Sequence, residues 1–375
     1  MKLVMTLLAR DEADIVAANL DYHLAQGVDF VIATDHSSRD GTAELLRAYE
    51  RRGVLLLREA GGEAHDQVTH VNAMARAAAV EHGADWIINN DADEFWWPLF
   101  GSIKQLLSAV PPDVDALVAS RSNFLPRPEG PGPLLERMVV REAASRNGRG
   151  EPLEPKVIHR ATAEIEMAPG NHSIDAPDLR VAPALGLLEV LHFPMRSFEQ
   201  FERKVLNVGI GYERLESREP EVGRDQLALL ELHREGRLRA HFEGLVVDDA
   251  DLDAAVASGR VVIDTRLRDF MAKRDSGDQG LPREPAAKLV SSALELAAQL
   301  EAARRELATV RTELAAARTE SAGLHEEVQA AHAGRERAER RLASTDAALH
   351  GLQTSRLIRF SQPARKLYYR LRGQG

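Results

Sequence analysis

Residues Trp86 to Pro98, WIINNDADEFWWP, set Asp91, Asp93 and Glu94 between an apolar run and two tryptophans. Adjacent carboxylates repel, so a cluster of this kind is tolerable when a cation, a proton or water compensates it. Two carboxylates one residue apart, on backbone just leaving a strand, can share a hard divalent cation without filling its coordination sphere. Mg²⁺ or Mn²⁺ held this way completes its shell with water and phosphate oxygens. It can then act as a Lewis acid on the charge that develops on a departing diphosphate. That chemistry suits transfer from a nucleotide-activated donor. Asp-x-Asp alone decides little, because the chain has it four times: Asp91–Asp93, Asp113–Asp115, Asp249–Asp251 and Asp251–Asp253. The second lies in a Pro-rich turn. The last two fall in VVDDADLDAAVASG, a helix start with acids near the positive end of its dipole. Only the first closes an apolar strand.

Four strand–helix alternations lead to that motif. KLVMTLLA (2–9) reads as a buried strand, followed by a helix over 11–26 that stops at Gly27. DFVIAT (29–34) is a second strand, and a helix runs from Asp40 to Gly53. VLLL (54–57) is a third strand, with a helix over about 66–82, and Trp86, Ile87 and Ile88 form the fourth. Continuous apolar strands between amphipathic helices predict a parallel sheet covered on both faces. Ligands of such sheets sit outside the carboxyl ends of the strands. The residues at those ends are Arg10–Asp11–Glu12, Asp35, Glu59 and Asp91–Asp93, four polar or acidic ends opening onto one edge. The plain alternative is that loops are polar wherever they occur.

The whole chain excludes several classes. Its 375 residues carry a formal net charge of −10, which argues against general nucleic-acid binding. No cysteine is present, so disulfides, thiolate metal sites and cysteine nucleophiles are ruled out. Neither GxxxxGK[ST] nor a GxGxxG after the first strand occurs, which removes the usual support for an ATPase or a dinucleotide oxidoreductase. The first apolar run is short and meets Arg10, Asp11 and Glu12 where a signal peptide would be cleaved. With no run approaching a membrane span, the expected address is the cytoplasm, with peripheral contact at the inner membrane face.

Four stretches carry a family resemblance: LLARDEADIVAANLDYHLAQGVD (7–29), TDHSSRDGTAELL (34–46), DWIINNDADEFW (85–96) and LHFPMRSFEQFERKV (191–205). Together the chain resembles the family-2-like glycosyltransferases of the GT-A fold, in the bacterial branch with a DADEF-type acidic segment. The resemblance implies a Rossmann-like, mainly parallel α/β domain that moves a sugar from a nucleotide-sugar donor to a glycan or lipid-linked acceptor with inversion, using Mn²⁺ or Mg²⁺. It places Ala9, Arg10 and Glu12 on the nucleotide pocket and Asp35 on the base or ribose. His36 stands where many relatives have Asn, Asp or Gly, which leaves the base preference open. Asp91 and Asp93 become the metal and donor-diphosphate acids, Asp93 as direct ligand, with His192 as a further metal ligand and His172 as its runner-up. The catalytic base is Glu94 or Asp175, and spacing does not separate them; Glu94 has a structural alternative. Asp40 reads as a helix cap. Lys156 and Arg196 could steady phosphate or acceptor, with surface solvation the simpler reading. Trp96 or Trp97 could stack on a sugar, with core packing the simpler reading.

Composition changes after the 1–274 domain. SGDQGLPREP suggests a linker over 275–290, and a coiled coil is expected over 291–354. Counting alternately four and three from Leu296 to Leu352 gives 17 positions, 14 of them apolar, with Ser321, Arg335 and Thr345 the exceptions. A homodimer joined by a rod of roughly 85 Å is the expectation. The tail, 355–375, has six basic residues and no acid, with Ala364, Leu367, Tyr368 and Leu371 on one helical face. It reads as an amphipathic contact for an anionic membrane surface. Two other functions fit the sequence: a non-catalytic sugar-nucleotide-binding scaffold for surface-polysaccharide assembly, and a nucleotidyltransferase, which lacks its basic Gly-rich loop here.

Overall fold

Strand β1 (Leu3–Ala9) is apolar except at Thr6, and both of its faces are covered. Side chains alternate along a strand. Leu3, Met5, Leu7 and Ala9 accordingly pack with Val16 and Leu20 of helix α1 (Val16–Ala25) and with Leu46 and Tyr49 of α2 (Thr42–Arg51). Val4, on the other face, joins Val71, Met74, Ala75 and Ala78 of α3 (Gln67–Val80). Thr6 is reconciled with burial by donating to Asn89 Oδ1 at 2.8 Å, while the Asn89 amide nitrogen lies 2.9 Å from His159 Nε2. The computed structural model describes residues 1–61, 67–147, 150–175, 179–184, 186–214, 223–275 and 287–354.

β2 (Phe30–Asp35), β3 (Leu55–Glu59) and β4 (Trp86–Asp91) run parallel with β1 in the order β3-β2-β1-β4. Ala9 pairs with Asp35, Asp35 with Glu59 and Leu8 with Asp91, so the four carboxyl ends come level, as the alternation predicts. Past β4 the sheet turns mixed. β8 (Lys156–Arg160) lies antiparallel between β4 and β6 (Ala116–Asn123). β12 (Leu188–His192) is parallel to β6 and antiparallel to β5 (Glu94–Pro98), and β11 (Val181–Pro183) also pairs with β6. The two tryptophans after the acids therefore lie in a strand of their own, with Glu94 opposite His192. Two small ribbons, β9 (Glu166–Met167) with β10 (Ile174–Asp175) and β7 (Val140–Glu142) with β13 (Val261–Ile263), and helices α4 (Ile103–Ser108) to α10 (Arg266–Asp275), complete the domain.

Helix α11 (Ala287–Thr354) starts before the expected end of the linker. The chain divides into two compact units, the first from Met1 to Glu301 and the second beginning at Ala302. Val290, Leu294 and Ala297, on one helical face, are buried in the same cluster as β1 and α1. Leu296 lies off that face and is 65% exposed. Leu294→Ala is expected to cost about 2–4 kcal/mol in chemical denaturation, the loss of a buried leucine with partial relaxation. A change under about 0.5 kcal/mol, typical of a surface site, would show that these turns are not part of the core.

In the second unit, Leu307, Val310, Leu314, Leu324, Val328, Leu342, Leu349 and Leu352 are each at least half exposed. Among the described residues no helix is long and apolar enough to cross a membrane. The basic tail, 355–375, lies outside the described residues.

Candidate active site

The acidic turn is held from beneath by a buried polar network. Asp91 ends β4, Ala92 and Asp93 make the turn, and Glu94 opens β5. Asn19 of α1 donates to the Glu94 carbonyl at 2.7 Å, Asn90 donates to Asn19 Oδ1 at 3.0 Å, and the Trp96 indole nitrogen donates to Asn90 Oδ1 at 3.0 Å. Trp96 is thus a core residue that anchors the turn. Trp97 packs with Tyr22 and Phe270, under the Arg266 guanidinium.

Each acid of the motif meets a cation. Lys156 Nζ donates to Asp91 Oδ2 at 2.5 Å and lies 3.1 Å from Glu94 Oε2; Asn171 donates to Asp91 Oδ1 at 3.3 Å. Arg121 donates to Glu94 Oε1 at 3.3 Å. Lys204 Nζ donates to Asp93 Oδ2 at 2.6 Å, with His192 Nε2 at 3.6 Å and Arg196 Nη1 at 3.7 Å from the same oxygen. Burial alone would raise the Asp93 carboxyl, but Lys204, His192 and Arg196 hold it well below the usual range. Glu94 is wholly buried, and burial pushes it up to about 7 against the pull of Lys156 and Arg121. Burial lowers the His192 imidazole to about 4, so it is neutral near pH 7.

Behind the motif, Arg196 precedes α6 (Phe198–Glu213), whose N-cap is Ser197. Its guanidinium is fully buried and donates to both Asp14 oxygens (2.7 and 2.9 Å), to Glu12, and to the Phe193 carbonyl at 3.0 Å. Burial raises Glu12 to about 7 in spite of that contact. The loops above β1 and β2 are tied together as well. Asp11, at φ 56°, accepts from the Arg39 amide at 2.7 Å and from Asn207 of α6 at 2.8 Å. Such a backbone is strained for a residue other than glycine. Asp40 was expected to cap α2, but the N-cap is Gly41 and carries no side-chain cap; Asp40, one residue earlier, accepts from the Thr42 amide and hydroxyl and from the Ala13 amide, tying the two loops together.

These elements enclose a cavity of about 300 Å³. Of the residues singled out in the sequence, Arg10, Glu12, Asp91, Asp93, Lys156, His172 and His192 line it, as does His36. Ala9 sits at its edge, its carbonyl accepting from the His36 amide at 2.8 Å. Asp35 is buried and does not itself line the cavity, although the next residue, His36, does; Oδ2 accepts from the Ser38 amide at 3.2 Å, and no donor reaches Oδ1. Glu94 lies beneath the lining, while Asp175 is exposed on β10; neither lines the cavity, and the same holds for Trp96 and Trp97. Lys156 and Arg196, for which surface solvation was the simpler expectation, are buried. Sequence reasoning passed over Arg121 and the α6 wall formed by Lys204, Asn207 and Tyr212. Lys204 lies inside LHFPMRSFEQFERKV, one of the four resembling stretches, and that was the available signal.

The residues proposed as metal ligands can be tested as a donor set. A divalent ion needs carboxylate oxygens at about 2.0–2.6 Å. Asp93 Oδ2 already carries an ammonium at 2.6 Å with a guanidinium nearby, and both Asp91 oxygens accept hydrogen bonds. Among the described residues no three His or acidic side chains are grouped closely enough to hold an ion. This arrangement does not fit a divalent cation.

Residues 5–167 match the family model described as glycosyltransferase family 92. The chain is a glycosyltransferase, and its mixed α/β domain with a mainly parallel sheet is the expected scaffold. The matching model is that of family 92, where the sequence resemblance pointed to family-2-like enzymes. Among solved structures, S. aureus TarS 1–349 is similar at 14% identity over 74% of this chain and 92% of that one, with a TM-score of 0.34. The same protein in complex with UDP-GlcNAc gives 13%, 75%, 93% and 0.32. Glucosyl-3-phosphoglycerate synthase from Mycobacterium tuberculosis, in complex with Mn²⁺, UDP and glucosyl-3-phosphoglycerate, is 14% identical over 32% of this chain and 44% of that one, with a TM-score of 0.23. No curated protein sequence matches. Likenesses this distant leave the substrate to be read from the chain's own residues.

Proposed function

We propose that this glycosyltransferase takes a nucleotide-sugar donor into the cavity at the strand ends and transfers its sugar, with inversion, to a glycan or lipid-linked acceptor. The observation that carries the reading is Asp35 Oδ1. It is a buried carboxylate oxygen without a donor, at the carboxyl end of a parallel strand and one residue before His36, which lines a cavity that also holds four cationic side chains. A base N–H or ribose hydroxyl would satisfy it, since a buried acceptor left unpaired costs about 1–3 kcal/mol. Arg10, Lys156 and Lys204 supply positive charge for the diphosphate. The Mn²⁺ or Mg²⁺ implied by the resemblance is not supported by the donor set. The exposed heptad stripe of α11 supports a homodimer through that helix.

The reading is tested by calorimetric titration of UDP, GDP, dTDP and CDP into the full chain. One nucleotide is expected to bind in preference, and Asp35→Asn to weaken it roughly tenfold or more. The absence of binding by all four to the folded protein would remove the reading.

A further inference from the structure

Lysine ammonium groups carry three donors each. Lys204 spends one on Asp93, and Lys156 is turned toward Asp91 and Glu94, yet both side chains line the cavity and retain donors for another acceptor. The cavity wall holds four permanent cations, Arg10, Arg121, Lys156 and Lys204, against three carboxylates, Glu12, Asp91 and Asp93. A dication placed on Asp93 would sit against the Lys204 ammonium and would have to displace it. A diphosphate would instead meet N–H groups already in place.

We propose that Lys156 and Lys204 grip the donor diphosphate directly, from β8 and from α6, and that Asp91 and Asp93 serve as the counter-ions that hold these two ammonium groups in position. The proposal rests on the glycosyltransferase reading and names how that site neutralises its leaving group. In the transfer, the bond from the anomeric carbon to the diphosphate oxygen breaks, and its electron pair stays on that oxygen. The acceptor oxygen forms the new bond, and its proton passes to solvent water. The two lysines stabilise the negative charge that appears on the departing diphosphate, acting as fixed donors in a site partly withdrawn from water. Lys204 comes from a helix whose next turns present Asn207 and Tyr212 to the same cavity, so its position is set by the domain's own packing.

The test uses inorganic pyrophosphate as probe, titrated calorimetrically into the full chain in EDTA and again with excess Mn²⁺. Binding in EDTA is expected, unimproved by the metal. Lys204→Met is expected to weaken it roughly ten- to hundredfold, the loss of a charge-assisted hydrogen bond. Lys204→Arg, which keeps charge and donors, should restore most of the affinity. Lys156 is more deeply buried, so Lys156→Met is read only alongside a circular dichroism spectrum matching wild type. Binding that requires Mn²⁺, or that ignores Lys204→Met, overturns the lysine grip and leaves the transferase reading standing. Failure of both pyrophosphate and the four nucleotides to bind under either condition overturns both.

Discussion

Replacing Arg196 with leucine is expected to lower the unfolding free energy by about 3–5 kcal/mol, the cost of leaving a buried charge without its partner. Arg196 is fully buried and satisfies Asp14 and Glu12 while facing Asp93. Its removal therefore strands several carboxylates at once. Burial already pushes Glu12 up to about 7 with the guanidinium present, so without it Glu12 is expected to take up a proton and the charge balance behind the acidic turn to fail. Arg196→Lys keeps the charge but loses the planar fork that reaches both Asp14 oxygens, so it should fall between wild type and leucine. Urea unfolding at neutral pH, followed by circular dichroism, gives the three values. A loss below about 1 kcal/mol for the leucine variant would mean that water reaches Glu12 and Asp14 freely and that the ion cluster is not a structural element.

Arg196 also marks where sequence reading stopped. The parallel half of the sheet could be read because its signal is local: β1, β2 and β3 are continuous apolar runs, and the intervening helices end at glycines such as Gly27 and Gly53. The register that levels Ala9, Asp35 and Glu59 follows from that alternation. The partner of β5 was hidden. Glu94–Pro98 pairs with β12, nearly a hundred residues further on, and nothing in FWWP distinguishes that strand from a loop wall. The cations were missed for a related reason. On a helix a lysine normally reads as solvated, and only the packing of α6 against the acidic turn brings Lys204 to Asp93. The first turns of α11 carried two stripes at once. Val290, Leu294 and Ala297 face the domain, while the heptad stripe begins at Leu296, and a count started there takes no notice of the other.

The acids and cations form one device. Asp91 and Asp93 sit a residue apart, and the repulsion between them is relieved from opposite sides, by Lys156 from the sheet and by Lys204 and Arg196 from the α6 end. A turn built this way has fixed charges but retains free donors toward the cavity. Electrostatic stabilisation of a leaving group depends on such pre-positioned donors, because no reorganisation is then needed as charge develops. The wholly buried Glu94 lies against the same cations from below, 3.1 Å from Lys156 and 3.3 Å from Arg121.

The heptad stripe yields the second large effect. The full chain is expected to sediment as a dimer at micromolar concentration, and Leu314→Lys combined with Leu342→Lys to convert it to monomer. Both leucines are at least half exposed on the isolated helix. Ion pairs such as Arg335–Glu339 at 2.9 Å and Glu336–Arg340 at 3.7 Å give the lone helix only about 0.3–0.5 kcal/mol each. Sealing the stripe against a second copy buries every one of these apolar side chains, at about 1.5–3 kcal/mol for a fully buried leucine. Two substitutions in two chains remove four such leucines, about 6–12 kcal/mol, which raises the dissociation constant by more than roughly ten-thousandfold. The first unit, Met1–Glu301, should melt unchanged in the variant, because neither leucine belongs to its core. Ser321, Arg335 and Thr345 fall on the same stripe, so the interface is uneven along its length. A polar residue at such a position can fix register and strand number at some expense of stability. Arg335→Leu is therefore expected to tighten association and to admit species larger than the dimer. A wild-type chain that sediments as a monomer would leave the stripe without a partner of its own kind and remove the dimer from the proposal.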